Sequence, residues 1–277
     1  MSFPRIGYIT NGFRDHALED VFAILAELGY QGVGITLDVG HLDPFRTSRE
    51  EVLKIRELLA RHGLEAVVET GARFILDPRR KHHPTLLSAD GRERRLDFLF
   101  RAVELAEALG SHVLSFWSGP QDPRVDTETT WRYMIEALRR LEDKARGPKV
   151  SLAFEPEPGM FIGDLKAYRE LRERFPSPAL RLTLDLGHLQ CTEEPPHDRW
   201  IVESGPWLDN VHVDDIRGRV HEHLALGEGE IDFPPLFAAL RRMAYGGLCL
   251  VELSRHSHAA PEYADRSIRF IRSACAG

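Results

Sequence analysis

A single-domain α/β protein folded as a (β/α)8 TIM barrel is predicted for residues 1–277, on three observations. The 277 residues are 43% hydrophobic, enough to fill one large core. Eight short apolar runs, rich in β-branched residues, alternate with stretches of helical periodicity. No linker, low-complexity tract or compositional break divides them. Strand alternating with helix implies parallel pairing through right-handed crossovers, and eight such units close a barrel. A doubly wound open sheet shares the alternation, but no GxGxxG turn follows the first strand, and GEGE at Gly227–Glu230 comes only after the seventh.

The first run is RIGYIT (5–10) and the second GVGITLD (32–38). SREEVLKIRELLARHG (48–63) follows, where Val52, Ile55 and Leu59 share a helical face and Gly63 stands where a helix-ending glycine belongs. The third run, EAVVETG (65–71), leads through the long connection RFILDPRRKHHPTLLSADG (73–91) into RRLDFLFRAVELAEALG (94–110). There Leu96, Leu99, Val103 and Ala106 form the apolar face and Gly110 the stop. HVLSFWSG (112–119), KVSLAFEP (149–156), LRLTLDLGH (180–188) and LDNVHVDD (208–215) supply strands four to seven. A second long connection, IRGRVHEHLALGEGEID (216–232), precedes the eighth strand, LCLVELSR (248–255). In a barrel both long connections lie over the face where the strands end, which is where such folds build their sites.

The formal charge of −7 gives a field that opposes a polyphosphate partner, so no nucleic acid is expected, although a local basic patch remains compatible with it. Three cysteines, Cys191, Cys249 and Cys275, without CxxC spacing, point to free thiols in a reducing compartment. MSFPRIGYIT lacks the apolar core of a signal peptide, and no run reaches the roughly 18 apolar residues that span a bilayer. A cytoplasmic protein with no membrane association is the expectation.

Strands buried on both faces should read as continuously apolar, so a charge at the end of one is costly without a partner or a metal. Four runs break that rule: SLAFE ends in Glu155, LRLTLD in Asp185, NVHVDD carries His212, and LCLVE ends in Glu252. The C-terminal ends of neighbouring barrel strands meet at one mouth, so these four side chains are predicted to share a cavity. Three carboxylates crowded at low dielectric either take up protons or gather around a cation. One imidazole with three carboxylates suits a divalent ion of the Mn²⁺, Mg²⁺, Co²⁺ or Zn²⁺ kind. A lone acid at a strand end is ordinarily a cap or a surface ion pair; four on consecutive strands are not.

From LAFEPEPG through LTLDLGH, VHVDD, HEHLALGEGEID and YGGLCLVELS, the chain resembles the xylose isomerase-like TIM barrels, a group of sugar epimerases, inosose-processing enzymes and the endonuclease IV branch. The first half resembles them mainly in architecture. The resemblance implies Glu155, Asp185, His212 and Glu252 as ligands of one metal. It further implies Glu155 and Glu252 as the catalytic pair, exchanging a substrate proton from opposite faces through an enediolate. His188, in the turn after Asp185, serves substrate or a further metal in that group. HEHLALGEGEI resembles the endonuclease IV segment whose Asp and His bind a metal with the His of DxxH, which maps to His221, His223 and His188, with His221 in the place of the Asp. A second metal, substrate hydrogen bonding and plain loop structure all remain open for these three.

Trp117, ending the fourth strand, can stack on a sugar ring or simply pack in the core. Glu69, ending the third, is a substrate contact or a surface cap, and Arg217 an anion ligand or a solvated loop residue. DPRRKHHP (77–84) is a small basic patch that can attract an anionic substrate, with a solvated loop as the plainer reading, and SRHSH (254–258) lies beside the mouth.

The expected activity is divalent-metal-dependent isomerisation or epimerisation of a sugar, sugar phosphate or cyclitol, with a small carbohydrate-like partner and, by resemblance, a homodimer. Two rivals stand beside it. Endonuclease IV-like phosphoester hydrolysis needs three metals, and Glu69 and Trp117 occupy positions where that branch has histidines. A non-catalytic sugar-binding barrel would have little use for two glutamates on one ion.

Overall fold

The computed structural model describes residues 4–147 and 149–276. Eight parallel strands close into a barrel: β1 (Arg5–Ile9), β2 (Gly32–Thr36), β3 (Glu65–Glu69), β4 (Val113–Phe116), β5 (Ser151–Phe154), β6 (Leu180–Asp185), β7 (Leu208–Val213) and β10 (Leu248–Val251). Their order around the barrel follows the chain, with β10 pairing β1 and β7. Each lies within one of the eight predicted runs.

The remaining two strands, β8 (Asp215–Arg217) and β9 (Val220–Leu224), form an antiparallel hairpin outside the barrel, inside the segment read from sequence as a loop. Three- and five-residue strands bearing Arg217, His221 and His223 carry too little apolar alternation to announce themselves.

Nine helices are described: α1 (Leu18–Leu28), α2 (Arg49–His62), α3 (Arg92–Leu109), α4 (Thr127–Arg146), α5 (Leu165–Arg174), α6 (Leu186–Thr192), α7 (Asp198–Ser204), α8 (Phe233–Arg242) and α9 (Ala260–Ala276). The α2 helix begins with a capping box, in which Ser48 accepts from the Glu51 amide while Glu51 Oε2 accepts from Ser48 N at 2.7 Å. Gly63 and Gly110 close α2 and α3 at φ +64° and +78°, the left-handed conformation that makes glycine the favoured stop.

Most of the core lies between strands and helices, while Ile9, Val67, Leu248 and Leu250 pack together as a separate cluster. Gly7 and Gly32 make that cluster possible, because a Cβ on either would collide with Leu250 or Leu248. Toward the strand ends the apolar filling gives way to a buried polar layer, in which Thr183 Oγ1 meets Ser115 Oγ at 3.0 Å and Asn210 Nδ2 donates to Glu69 Oε1 at 3.1 Å. The charged groups of the mouth rest on this layer.

Candidate active site

His212 stands at the centre of the mouth. Its Nδ1 lies 3.2 Å from Glu155 Oε1, 3.1 Å from Glu252 Oε2 and 3.9 Å from Asp185 Oδ2. One ligand atom from each of Glu155, Asp185, His212 and Glu252 lies within 4.8 Å of the others. The four residues predicted to meet are therefore brought together from β5, β6, β7 and β10, or the residue directly after. On its other side, His212 Nε2 contacts Glu69 Oε1 at 3.0 Å and Asn210 Nδ2 at 3.0 Å. Glu69 thus sits beneath His212 in the polar layer. Asn210 shares a face of β7 with His212 by the two-residue strand period, a signal present in the sequence but unread.

Each carboxylate is held differently. Glu252 Oε1 accepts from Asn11 Nδ2 at 2.8 Å. Asp185 Oδ1 caps α6 by accepting from His188 N at 2.8 Å, while Oδ2 is buried with no hydrogen-bond partner among the described residues. A buried carboxylate oxygen without a donor, beside two further carboxylates, is costly unless a cation completes it. Two oxygens on opposite sides of an ion with ligand bonds of roughly 2.1 Å stand about 4.2 Å apart, so the spacing of the quartet fits a small divalent ion.

The electrostatics follow from the crowding. Burial pushes Glu155 up to about 7 against the pull of His212. Burial acts the same way on Glu252, but His223, His212 and the Asn11 amide outweigh it and hold that carboxylate well below its usual range. His212 is opposed by burial yet raised well above the ordinary imidazole value by Glu69, Glu155 and Glu252.

A second cluster adjoins the first. His188 Nε2 lies 3.0 Å from His221 Nε2, which lies 2.9 Å from His223 Nε2. His188 Nδ1 faces Pro156 O at 3.0 Å, and His223 Nδ1 is in ion-pair contact with Asp214 Oδ2 at 2.5 Å. Pro156 O and the Asp214 carboxylate thus orient the His188 and His223 rings so that both Nε2 atoms face His221 Nε2, the arrangement of imidazoles oriented by outer partners. Burial, with His188 and His223 nearby, lowers His221 to about 4, whereas Asp214 and Glu252 overcome burial and raise His223 to about 10. Asp214 joins the clusters, since Asp185, Asp214 and His223 also converge. Gly187 of the DLGH turn permits this, because a Cβ there would strike the Asp214 carboxylate. Asp214 and Gly187 escaped the sequence reading, being one acid of a pair and one glycine of a turn.

The GEGE segment also acquires a purpose. Asp215 accepts from the backbone N–H of Gly227 and Gly229 at 2.9 Å each and of Ile231 at 3.2 Å. These amides, free in sequence to cradle a phosphate, are spent on an internal carboxylate that pins the hairpin carrying His221 and His223. Arg217 lies apart from both clusters, exposed, donating to Glu228 O. Trp117 is 7% exposed, with the Arg95 guanidinium 4.5 Å from one ring centroid and His82 edge-on at 5.3 Å. Glu157, absent from the sequence reading, lies near the quartet and is raised to about 7 by burial and by Glu155.

Comparison with known proteins places this geometry in context. An inosose dehydratase of Geobacillus thermodenitrificans is 28% identical over 170 residues, covering 54% of this chain and 57% of that protein, so the chain matches little more than half of that relative's length. The L-ribulose-5-phosphate 3-epimerase UlaE of Salmonella paratyphi C is 24% identical over 232 residues, 82% of this chain and 78% of that one. Among solved structures, a D-allulose 3-epimerase from Methylomonas sp. superposes with a TM-score of 0.77 at 19% identity, over 99% of this chain and all of that one. The 3-keto-D-glucoside 4-epimerase YcjR of E. coli reaches 0.79 at 17% identity, over 98% of this chain and 99% of that one; at these identities the likeness is one of fold. Residues 22–274 match the family described as xylose isomerase-like TIM barrel, and the chain belongs to that family.

Proposed function

We propose that the protein is a divalent-metal-dependent isomerase or epimerase of a sugar, sugar phosphate or cyclitol, acting by proton transfer at the carbon beside a carbonyl. The observation that carries this reading is the convergence of Glu155, Asp185, His212 and Glu252 around the partnerless Asp185 Oδ2. These four would hold one ion of the Mn²⁺, Mg²⁺, Co²⁺ or Zn²⁺ kind. Bound there, the ion supplies Lewis-acid polarisation of a substrate carbonyl or hydroxyl.

The proton work falls to the two glutamates. One carboxylate oxygen removes the C–H proton from one face of the substrate, and the other carboxyl, protonated beforehand, returns a proton: delivered to the opposite face of the same carbon it gives inversion, and delivered to the former carbonyl carbon, with the O–H proton passing between the two oxygens, it gives carbonyl migration. The Asn11 amide holds Glu252 at a fixed rotation. Glu69 orients His212 through Nε2, leaving Nδ1 for the quartet. Trp117 offers its ring to the apolar face of the substrate, and His188 reaches its hydroxyls.

The test is incorporation of solvent deuterium into ketoses, ketose phosphates and inososes by the Mn²⁺-loaded protein. Wild type exchanges at least one C–H, and Glu155→Gln and Glu252→Gln each lose at least about a hundredfold in rate. Exchange retained in both variants contradicts the assignment.

The imidazole trio favours a second reading, metal-dependent phosphoester hydrolysis with a further ion on His188, His221 and His223. More than one tightly bound ion per chain together with cleavage of an abasic-site duplex would establish it in place of the first.

A further inference from the structure

Two loops bring cations to the mouth with few anions to match them. Arg14, after β1, is exposed, and both its backbone N and its Nε face Ser257 Oγ, at 3.3 and 3.5 Å. Ser257 Oγ in turn donates to Asn11 O at 3.4 Å, and Asn11 holds Glu252. Arg14 thus stands beside the residues that fix one wall of the quartet. Arg73 lies four residues beyond Glu69, and its nearest carboxylate oxygen, Asp38 Oδ2, is 3.9 Å away, beyond hydrogen-bond reach. The loop then closes on itself: His82 N donates to Arg73 O, and its Nδ1 to Gly71 O, both at 2.6 Å, which returns Lys81 to the side of Arg73. Among the described residues neither Arg14 nor Lys81 has an ion-pair partner.

A fourth cation lies under them. Arg95 is 1% exposed, donates one N–H to Thr70 O at 3.2 Å, and stacks on Trp117. Its Nη1 is buried with no partner among the described residues. A buried guanidinium with an open donor is rare, because an unpaired charge out of water is costly. The neighbours feel the imbalance. Burial first, then Lys81, with Arg95 and Arg73 adding to them, drive His82 down to about 4 against the hydrogen bond to Gly71 O. Lys81 is lowered by burial and by Arg73, Arg255 and Arg14, against the pull of Glu157. In a chain of net charge −7, such a concentration of unmatched positive charge calls for a ligand.

We infer that Arg14, Arg73 and Lys81 form a subsite for a phosphate group carried by the substrate, with Arg95 beneath Trp117 adding to the positive field. The inference rests on the proposed function only in placing the reacting carbon at the quartet. It commits to a phosphomonoester because three cations, of which only Arg73 has a carboxylate nearby and that at 3.9 Å, answer a dianion better than a single carboxylate. The substrate class is then a phosphorylated sugar, its charged end at the β1 and β3 loops and its carbonyl end at Glu155 and Glu252.

Calorimetric titration of the Mn²⁺-loaded protein with inorganic phosphate, acetate, ribitol and ribitol 5-phosphate tests it, none of these being able to react. Ribitol 5-phosphate is expected to bind at least about tenfold tighter than ribitol. Lys81→Gln alone should weaken phosphate and ribitol 5-phosphate several-fold, and Arg73→Gln with Lys81→Gln should abolish the preference over ribitol. Lys81 is exposed, so its variant keeps the fold. Equal affinity for the two polyols, or phosphate binding unchanged in the double variant, overturns the subsite. Acetate bound as tightly as phosphate, with the same losses, overturns the phosphomonoester in favour of a carboxylate. Metal content measured on the same samples separates the two proposals: phosphate selectivity without bound metal leaves the subsite standing and removes the quartet, while bound metal without selectivity does the reverse.

Discussion

Asp185 Oδ2 is the atom whose surroundings ask most plainly for a cation, and Asp185→Ala should lower divalent-metal affinity by at least about a hundredfold in equilibrium dialysis. Glu69→Gln keeps a group able to face His212 but loses the charge, and affinity is expected to fall about 10–100-fold, the range for outer partners of a metal-bound imidazole. His82 provides a test of charge at the rim. Its folded value of about 4 lies below the ordinary 6.5, so between those values the unfolded chain binds more protons than the folded one. Stability therefore rises with pH across that window. His82→Gln should flatten the slope of unfolding free energy by on the order of 3 kcal/mol between pH 4 and 6.5, measured by urea denaturation in parallel buffers. At this scale the quartet was legible because an apolar strand that ends in an acid breaks a strong rule. Arg95 was not, since one arginine beside the apolar face of α3 reads as a surface residue until it is seen stacked on Trp117. Glu69 was visible as a strand-end acid, but its partner lies on β7, across the barrel interior, where sequence separation carries no information.

Among the elements, the β8–β9 hairpin departs most from the sequence expectation. Beside its own strand pairing, one carboxylate pins it: Asp215 takes up three backbone N–H groups of the segment from Gly227 to Ile231. Asp215→Ala leaves those donors unsatisfied and should cost about 3 kcal/mol of stability, with faster amide exchange confined to residues 215–231. Gly229→Ala should do the same, because its Cβ would meet the Asp215 carboxylate. Uniform exchange across the barrel in either variant would mean that the hairpin is held by something else. The barrel strands, by contrast, were legible from composition alone: burial on both faces leaves them no polar alternation to confuse the pattern. The helix stops at Gly63 and Gly110 were equally plain, since φ values near +64° and +78° favour glycine so strongly.

For the whole molecule, the barrel gathers at one mouth an anionic quartet, an imidazole trio and a cationic rim that are scattered over the chain from Arg14 to Glu252. A ligand bound only by the folded state stabilises it, by about 2.7 kcal/mol at a free concentration a hundredfold above its dissociation constant. Removal of the metal by a chelator should therefore lower the melting temperature by about 5–10 °C in scanning calorimetry. That effect should vanish in Asp185→Ala. The fold class was readable from eight alternating runs and the quartet from four strand ends, whereas the rim was not, because its charges reach the mouth through loop closure rather than through any period. The most direct measurement is an anomalous-diffraction map of crystals grown with Mn²⁺. A single peak is expected among Glu155, Asp185 Oδ2, His212 Nδ1 and Glu252, within roughly 2.0–2.4 Å of each. A map with no peak there, or one whose only peak lies among His188, His221 and His223, would contradict it.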